Sequence, residues 1–347
     1  MDRRTIAAFA SACVLLAACS GGGHKTDPTS LPSTSATLPT TTTAPPVYPL
    51  TGMANPDPGR LVRPALVVKV DNAPQALPQA GLNQADLVFE EQVEGGITRF
   101  AAVFQSQDAG PVGPVRSTRS TDVAIVSMLN HPLYAFSGGN SVFLNEIRAA
   151  PIFDVGDDVQ SQAYRRVGGR AAPHNLMSDT TALFALAPKG AGPPAPVFGY
   201  RDAGAAASGA GAAADTHLGI SFPGSVGPTV TWDWDPGTQT WRRGQAGVVD
   251  NDAAGQQIAA ANVIVEFVPY HNTGLIDPAH NPVPEAELVG QGDAAVFTGG
   301  MIIRGHWSKP SPTAVTSYTD AAGQPILLAP GRTWIELPPL DTTTQSS

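Results

Sequence analysis

From Pro64 onward the apolar residues come in short bursts separated by glycine, proline and asparagine. PALVVKVDN (64–72) is almost unbroken and predicts a buried strand. ADLVFEEQVEGGITRFAAVFQSQ (85–107) predicts two strands meeting in a tight hairpin at Gly95-Gly96. GPVRSTRSTDVAIVSMLN (113–130) predicts a turn and then a helix, apolar all round, that Pro132 ends. PLYAF (132–136) reads as a strand, SVFLNEIRAA (141–150) as a helix, and SDTTALFALA (178–187) as a helix capped by Ser178. Strands alternating with helices predict an α/β (α+β) N-terminal domain over 49–200.

The pattern then changes. An Ala/Gly stretch over 201–218 predicts a linker, and beyond it come TVTWDWDPGTQTWRRGQAG (229–247), NVIVEFV (262–268), DAAVFTGGMIIRGHWS (293–308) and PILLAPGRTWIEL (325–337). Short strands set off by Pro-Gly and Gly-Gly turns predict a β-rich C-terminal domain over 219–340, a sandwich or barrel. Residues 341–347, small and polar, are expected to form a disordered tail. All five tryptophans fall in this half, either as a surface for stacking carbohydrate or as core packing.

The first residues set the compartment. Arg3 and Arg4 precede a short apolar stretch from Ile6 to Ala18, the build of a secretory signal peptide and too short for a membrane span. Leu16-Ala17-Ala18-Cys19 resembles a lipobox, so residues 1–18 are expected to be removed and Cys19 to carry a palmitate-type lipid. Residues 19–48, dense in Thr, Pro and Ser, then form a disordered tether. At about 3.1 Å per residue it would reach about 90 Å. Cys13 lies in the discarded segment, so the mature chain has no cysteine pair for a disulfide. Its 18 basic and 28 acidic residues after Ala18, a net charge of −10, argue against a nucleic-acid partner.

Candidate chemistry gathers in the N-terminal half. A hairpin closed on Gly95-Gly96 would set Glu94 opposite Ile97, Gln92 opposite Arg99 and Glu90 opposite Ala101. Glu90, Glu94 and Arg99 would then share a face, as an acid/base pair, a substrate clamp or a solvated ion-paired surface. Arg116 and Arg119, at the start of the predicted helix, could hold a phosphate or carboxylate there, or the Ser/Thr-rich stretch could simply cap it. FSGGNSVFL (136–144) repeats the arrangement, so two helix N-termini could open on one sheet edge. Neither stretch is a nucleotide-binding glycine motif. APHNL (172–176) puts His174 and Asn175 in a loop, as a proton shuttle or as hydrogen-bonding structure. No spacing suggests a metal site, and no cofactor is expected.

Together these segments carry a resemblance: DN (71–72), GLNQADLVFE, VEGGITRF, GPVRSTR and APHNL, followed by NVIVEF, GQGDAAVF, GHWSKPS and PGRTWIEL. In this order, from about Arg63 to Leu337, they resemble the YerB-like lipoproteins of mainly Gram-positive bacteria. The resemblance implies an exported, lipid-anchored protein on the extracytoplasmic face of the cell membrane, with two domains. It assigns no reaction, cofactor or substrate. Its motifs include all of the polar residues singled out above; by their chemistry Asp71, Asn72, Arg99, Arg116, Arg119 and Asn175 are candidate ligand-binding residues, and Glu94, Glu90 and His174 candidate catalytic ones. Two functions stay open: capture of an anionic cell-wall fragment or an envelope protein, and envelope hydrolysis or group transfer.

Overall fold

The computed structural model describes residues 46–54, 57–223 and 230–347. The expected signal peptide, Cys19 and the tether as far as residue 45 lie outside these. The tether stops short of its expected end, because Tyr48 and Leu50 are buried and Val47 bridges Ala54. Among the described residues no helix is long and apolar enough to cross a membrane.

Five strands from the N-terminal half build one side of a large mixed sheet: β1 (Leu66–Asp71), β2 (Leu87–Gln92), β3 (Thr98–Phe104), β4 (Leu133–Ala135) and β5 (Phe153–Asp154). Their order is β2-β3-β1-β4-β5, with β1 antiparallel to β3 and parallel to β4. The apolar runs are unbroken because β1 and β3 are covered on both faces. Four short helices accompany them: α1 (Pro58–Leu61), α2 (Asp122–Val126), α3 (Ser141–Ala149) and α4 (Thr180–Phe184).

The sheet does not stop at the end of the N-terminal half. Thr333–Leu337 lies parallel to β2 on one side and parallel to Asn262–Glu266 on the other. The order then continues through Gly290–Thr298, Met301–Lys309 and Ser317–Asp320. A second sheet, containing His217–Ser221, Val230–Asp235 and Thr240–Gln245, covers one face of the first. Trp232 and Trp241 from it are buried against Trp334 and Phe297, with ring centroids 5.2 and 5.4 Å apart, so these tryptophans are core and not a stacking surface. On the other face Val67, Phe89 and Val103 join Ile125, Tyr134 and Phe136, and the same core continues into Ile264, Ile303 and Ile335. Both cores thus run through both halves.

Several local expectations need correcting. The 87–104 hairpin does not close in two residues: Val93 donates to the Ile97 carbonyl (2.8 Å) across a five-residue loop in which Gly95 and Gly96 both take positive φ (71° and 69°). The register is therefore Glu91 opposite Arg99 and Glu90 opposite Phe100. The segment 113–119 is extended and Ser120-Thr121 form a turn, so no helix starts at the arginines. Arg116 N–H donates to Lys69 O and Ser137 N–H donates to Arg116 O (both 2.9 Å), so this segment lies between β1 and the chain leaving β4. Helical geometry starts only at Asp122 and lasts five residues before a 3₁₀ turn. Ser178 closes the strand Leu176–Ser178 and gives its hydroxyl to Ala163 O; the residue preceding α4 is Asp179. The expected linker supplies Ala213–Ala214 to the edge of Met301–Lys309, and the expected disordered tail adds Thr343–Ser346 to His217–Ser221. Edge pairing of this kind uses backbone donors and acceptors alone, so it leaves no apolar signature.

Candidate functional site

A pocket of about 690 Å³ opens where the start of β3, the extended 113–119 segment and the start of α3 meet. Arg99, Arg116 and Arg119 line it together with Glu94. On its far side stand Ile276, Asp277 and Val283, from the hairpin formed by Tyr270–Ile276 and Pro282–Ala286. Both halves of the chain therefore supply walls.

The three guanidinium groups are not equivalent. Arg119 is fully engaged: Nε and Nη2 donate to Glu94 Oε2 (2.9 and 2.7 Å), and Nη1 donates to Thr118 O (2.7 Å). Arg116 gives only Nε to Asp71 Oδ2 (3.2 Å), and its two terminal nitrogens make no hydrogen bond among the described residues. Arg99 is 5% exposed, yet its one hydrogen bond runs from Nη1 to Ser117 O (3.1 Å). Its Nε is buried without a partner, and no carboxylate among the described residues comes within ion-pair distance. Burial, reinforced by the positive charges of Arg119 and Arg116, pulls its pKa down to about 10. A buried, unpaired donor costs about 1–3 kcal/mol.

Asp71 fixes the back of the site. Its Oδ2 lies 2.7 Å from His174 Nδ1 as well as beside Arg116, and its Oδ1 accepts from Ala73 N (3.1 Å). His174 is thus joined to the arginine cluster through Asp71. Asn140 caps α3 by accepting from Val142 N (2.9 Å) and, with Gly139, turns the start of that helix toward the pocket.

Three expected site residues lie elsewhere. Glu90 is on the opposite face of the sheet, because the one-residue difference in register exchanges the faces of the strand. There it pairs with buried Arg243 (2.8 Å) and accepts from Thr98 Oγ1 (2.7 Å). Asn72 joins that second cluster, donating to Thr98 Oγ1 (2.7 Å) and accepting from Gln79 and Gln245. Asn175 braces its own loop, accepting from Arg166 (2.8 Å) and donating to the carbonyls of Val167 and Arg170.

Sequence reasoning missed a buried charge cluster under the pocket. Lys69 pairs with Glu91 and with Asp122 Oδ1 (2.7 Å), and Asp122 Oδ2 accepts from Arg119 N (2.7 Å). Burial, together with the charge of Asp122, pushes the Glu91 pKa upward against the opposing pull of Lys69. The lone lysine inside PALVVKVDN was the available signal, since a charge in a strand buried on both faces needs a partner. Nothing local marked the 276–283 wall.

Comparison with known proteins places this architecture. The family described as "Protein of unknown function (DUF3048) N-terminal domain" matches residues 50–192, and its C-terminal domain matches residues 220–335. The chain is 28% identical over 307 residues to "Putative lipoprotein YerB" of Bacillus subtilis (strain 168), covering 86% of this chain and 88% of that protein. The crystal structure of YerB from Bacillus subtilis superposes with a TM-score of 0.72 at 24% identity, over 86% of this chain and 99% of that one. This structural likeness carries the fold.

Proposed function

This chain belongs to the DUF3048 family, and from that premise we propose that it is a lipid-anchored envelope protein whose N-terminal half captures an anionic ligand. The observation that carries this reading is Arg99, a nearly buried guanidinium lining the pocket with no carboxylate among the described residues at ion-pair distance. Arg116 adds its unengaged terminal nitrogens, while Glu94 and Asp71 act as struts for Arg119 and Arg116. Capture fits the geometry better than catalysis. Acid/base work at Glu94 would break its pair with Arg119, and His174 is held against Asp71.

The location of the partner follows from the lipobox-like sequence at Cys19, which supports a tethered receptor facing cell-wall fragments or another envelope protein. Two experiments test the reading. Binding of muramyl-peptide fragments, followed by calorimetry, should fall at least ~10-fold in Arg99→Met, since a charge-assisted bond is worth about 1.5–3 kcal/mol. Equal affinity in the variant would refute the site. In cell fractionation Cys19→Ala should move the protein from membrane to soluble fractions, and unchanged retention would refute the anchor.

A further inference from the structure

We infer that the pocket takes a singly charged anion with two free oxygens, carried on an apolar body, and discriminates against multiply charged phosphates. This rests on the reading of the pocket as an anion site and adds the class of ligand. The first argument is the charge inventory. Arg116 and Arg119 are offset by Asp71 and Glu94, Arg99 has no carboxylate among the described residues at ion-pair distance, and Asp277 at the rim brings the wider count to zero. One negative charge pairs Arg99. A second would be unmatched inside and would face Asp277 at the rim, whose carboxylate is held in place by Ala279 N (2.8 Å) and Asn281 N (2.8 Å).

The second argument is donor geometry. Arg99 has one Nη1 hydrogen engaged by Ser117 O and its Nε enclosed by protein, so the donors left to it are Nη2 and the second hydrogen of Nη1, at the end of the planar guanidinium. Such an end matches two oxygens on one carbon or phosphorus. The third is the composition of the walls. Ile97, Phe143, Pro173, Ile276, Pro278 and Val283 surround the arginines, and about 690 Å³ far exceeds the needs of an inorganic ion. A ligand of this kind puts its head on Arg99 and its body against these side chains. A carboxylate on a short peptide or acyl chain and a phosphodiester share that chemistry.

The test compares probes on the purified full chain by calorimetry: N-acetyl-Ala-Ala, its C-terminal amide, octanoate, dibutyl phosphate and pyrophosphate. Binding of at least one of the three monoanions, with both the amide and pyrophosphate at least ~10-fold weaker than it, is expected, and Arg99→Met, folded by its thermal transition, should lose the difference. Which monoanion binds best identifies the source. Pyrophosphate binding as tightly as the monoanions would overturn this inference and leave the anion site standing. Amide and carboxylate binding alike, or no anion binding at all, would overturn both.

Discussion

At the scale of single residues, the site is a matter of which charges already have partners. Arg119 and Glu94 satisfy each other, and Asp71 holds Arg116 by one nitrogen only. Arg99 has no carboxylate at ion-pair distance among the described residues, and the proposed anion site rests on it. The cluster beneath follows the opposite logic, since Lys69 is matched by Glu91 and Asp122 with no exposure to water. Removing one member leaves buried charge uncompensated, so Lys69→Met should lower stability by about 3–5 kcal/mol in urea unfolding. A loss below ~1 kcal/mol would mean that the cluster does not hold the charges assigned to it. The double variant Lys69→Met/Glu91→Leu should recover part of that loss, because it removes the pair rather than one half of it.

At the scale of elements, the strands Asn262–Glu266 and Met301–Lys309 bury groups whose titration should appear in stability. Burial pushes Glu266 up to about 7, opposed by the hydroxyl of Tyr318 (2.7 Å) and the charge of Lys309, and burial pulls Lys309 down to about 8. Between the unfolded carboxylate value and about 7 the folded chain binds the extra proton, so stability falls as pH rises through that window. Above about 8 the unfolded chain holds the lysine proton that the folded one has lost, so stability rises again. The minimum lies between these values, and Glu266→Gln should flatten the acid-side slope, worth on the order of 3 kcal/mol. An unchanged slope would assign it to other carboxyls. Most strands in these elements were legible, because runs such as LVVKV and NVIVEF are dominated by β-branched and other apolar residues. Register was not: Gly95-Gly96 looks like a two-residue turn, and one residue of difference exchanged the roles of Glu90 and Glu91. The apolar run after Arg119 does form a helix, Asp122–Val126 continued by a 3₁₀ turn to Leu129, but the arginines precede it on a segment that bonds between Asp71 N and Pro114 O and between Arg116 N and Lys69 O hold extended along β1.

At the scale of the molecule, the two family-matched halves share a sheet and both cores. Thr333–Leu337 reaches β2 across more than two hundred residues, a pairing that no local periodicity can announce. Its consequence is mutual dependence. Expressed alone, residues 46–200 would expose the β2 edge and leave Glu90 without Arg243, so this half should aggregate on size exclusion and recover when co-expressed with 201–347. A soluble, cooperatively folding half would contradict that dependence. The pocket depends on both halves as well: its arginines come from the first and its 276–283 wall from the second. A crystal structure of the full chain with bound 8-bromooctanoate, located by the anomalous signal of bromine, tests this account most directly. The account predicts carboxylate oxygens about 2.7–3.2 Å from Nη1 or Nη2 of Arg99, with the chain against Phe143 and Ile276. Bromine density elsewhere, with Arg99 still unpaired, would contradict it.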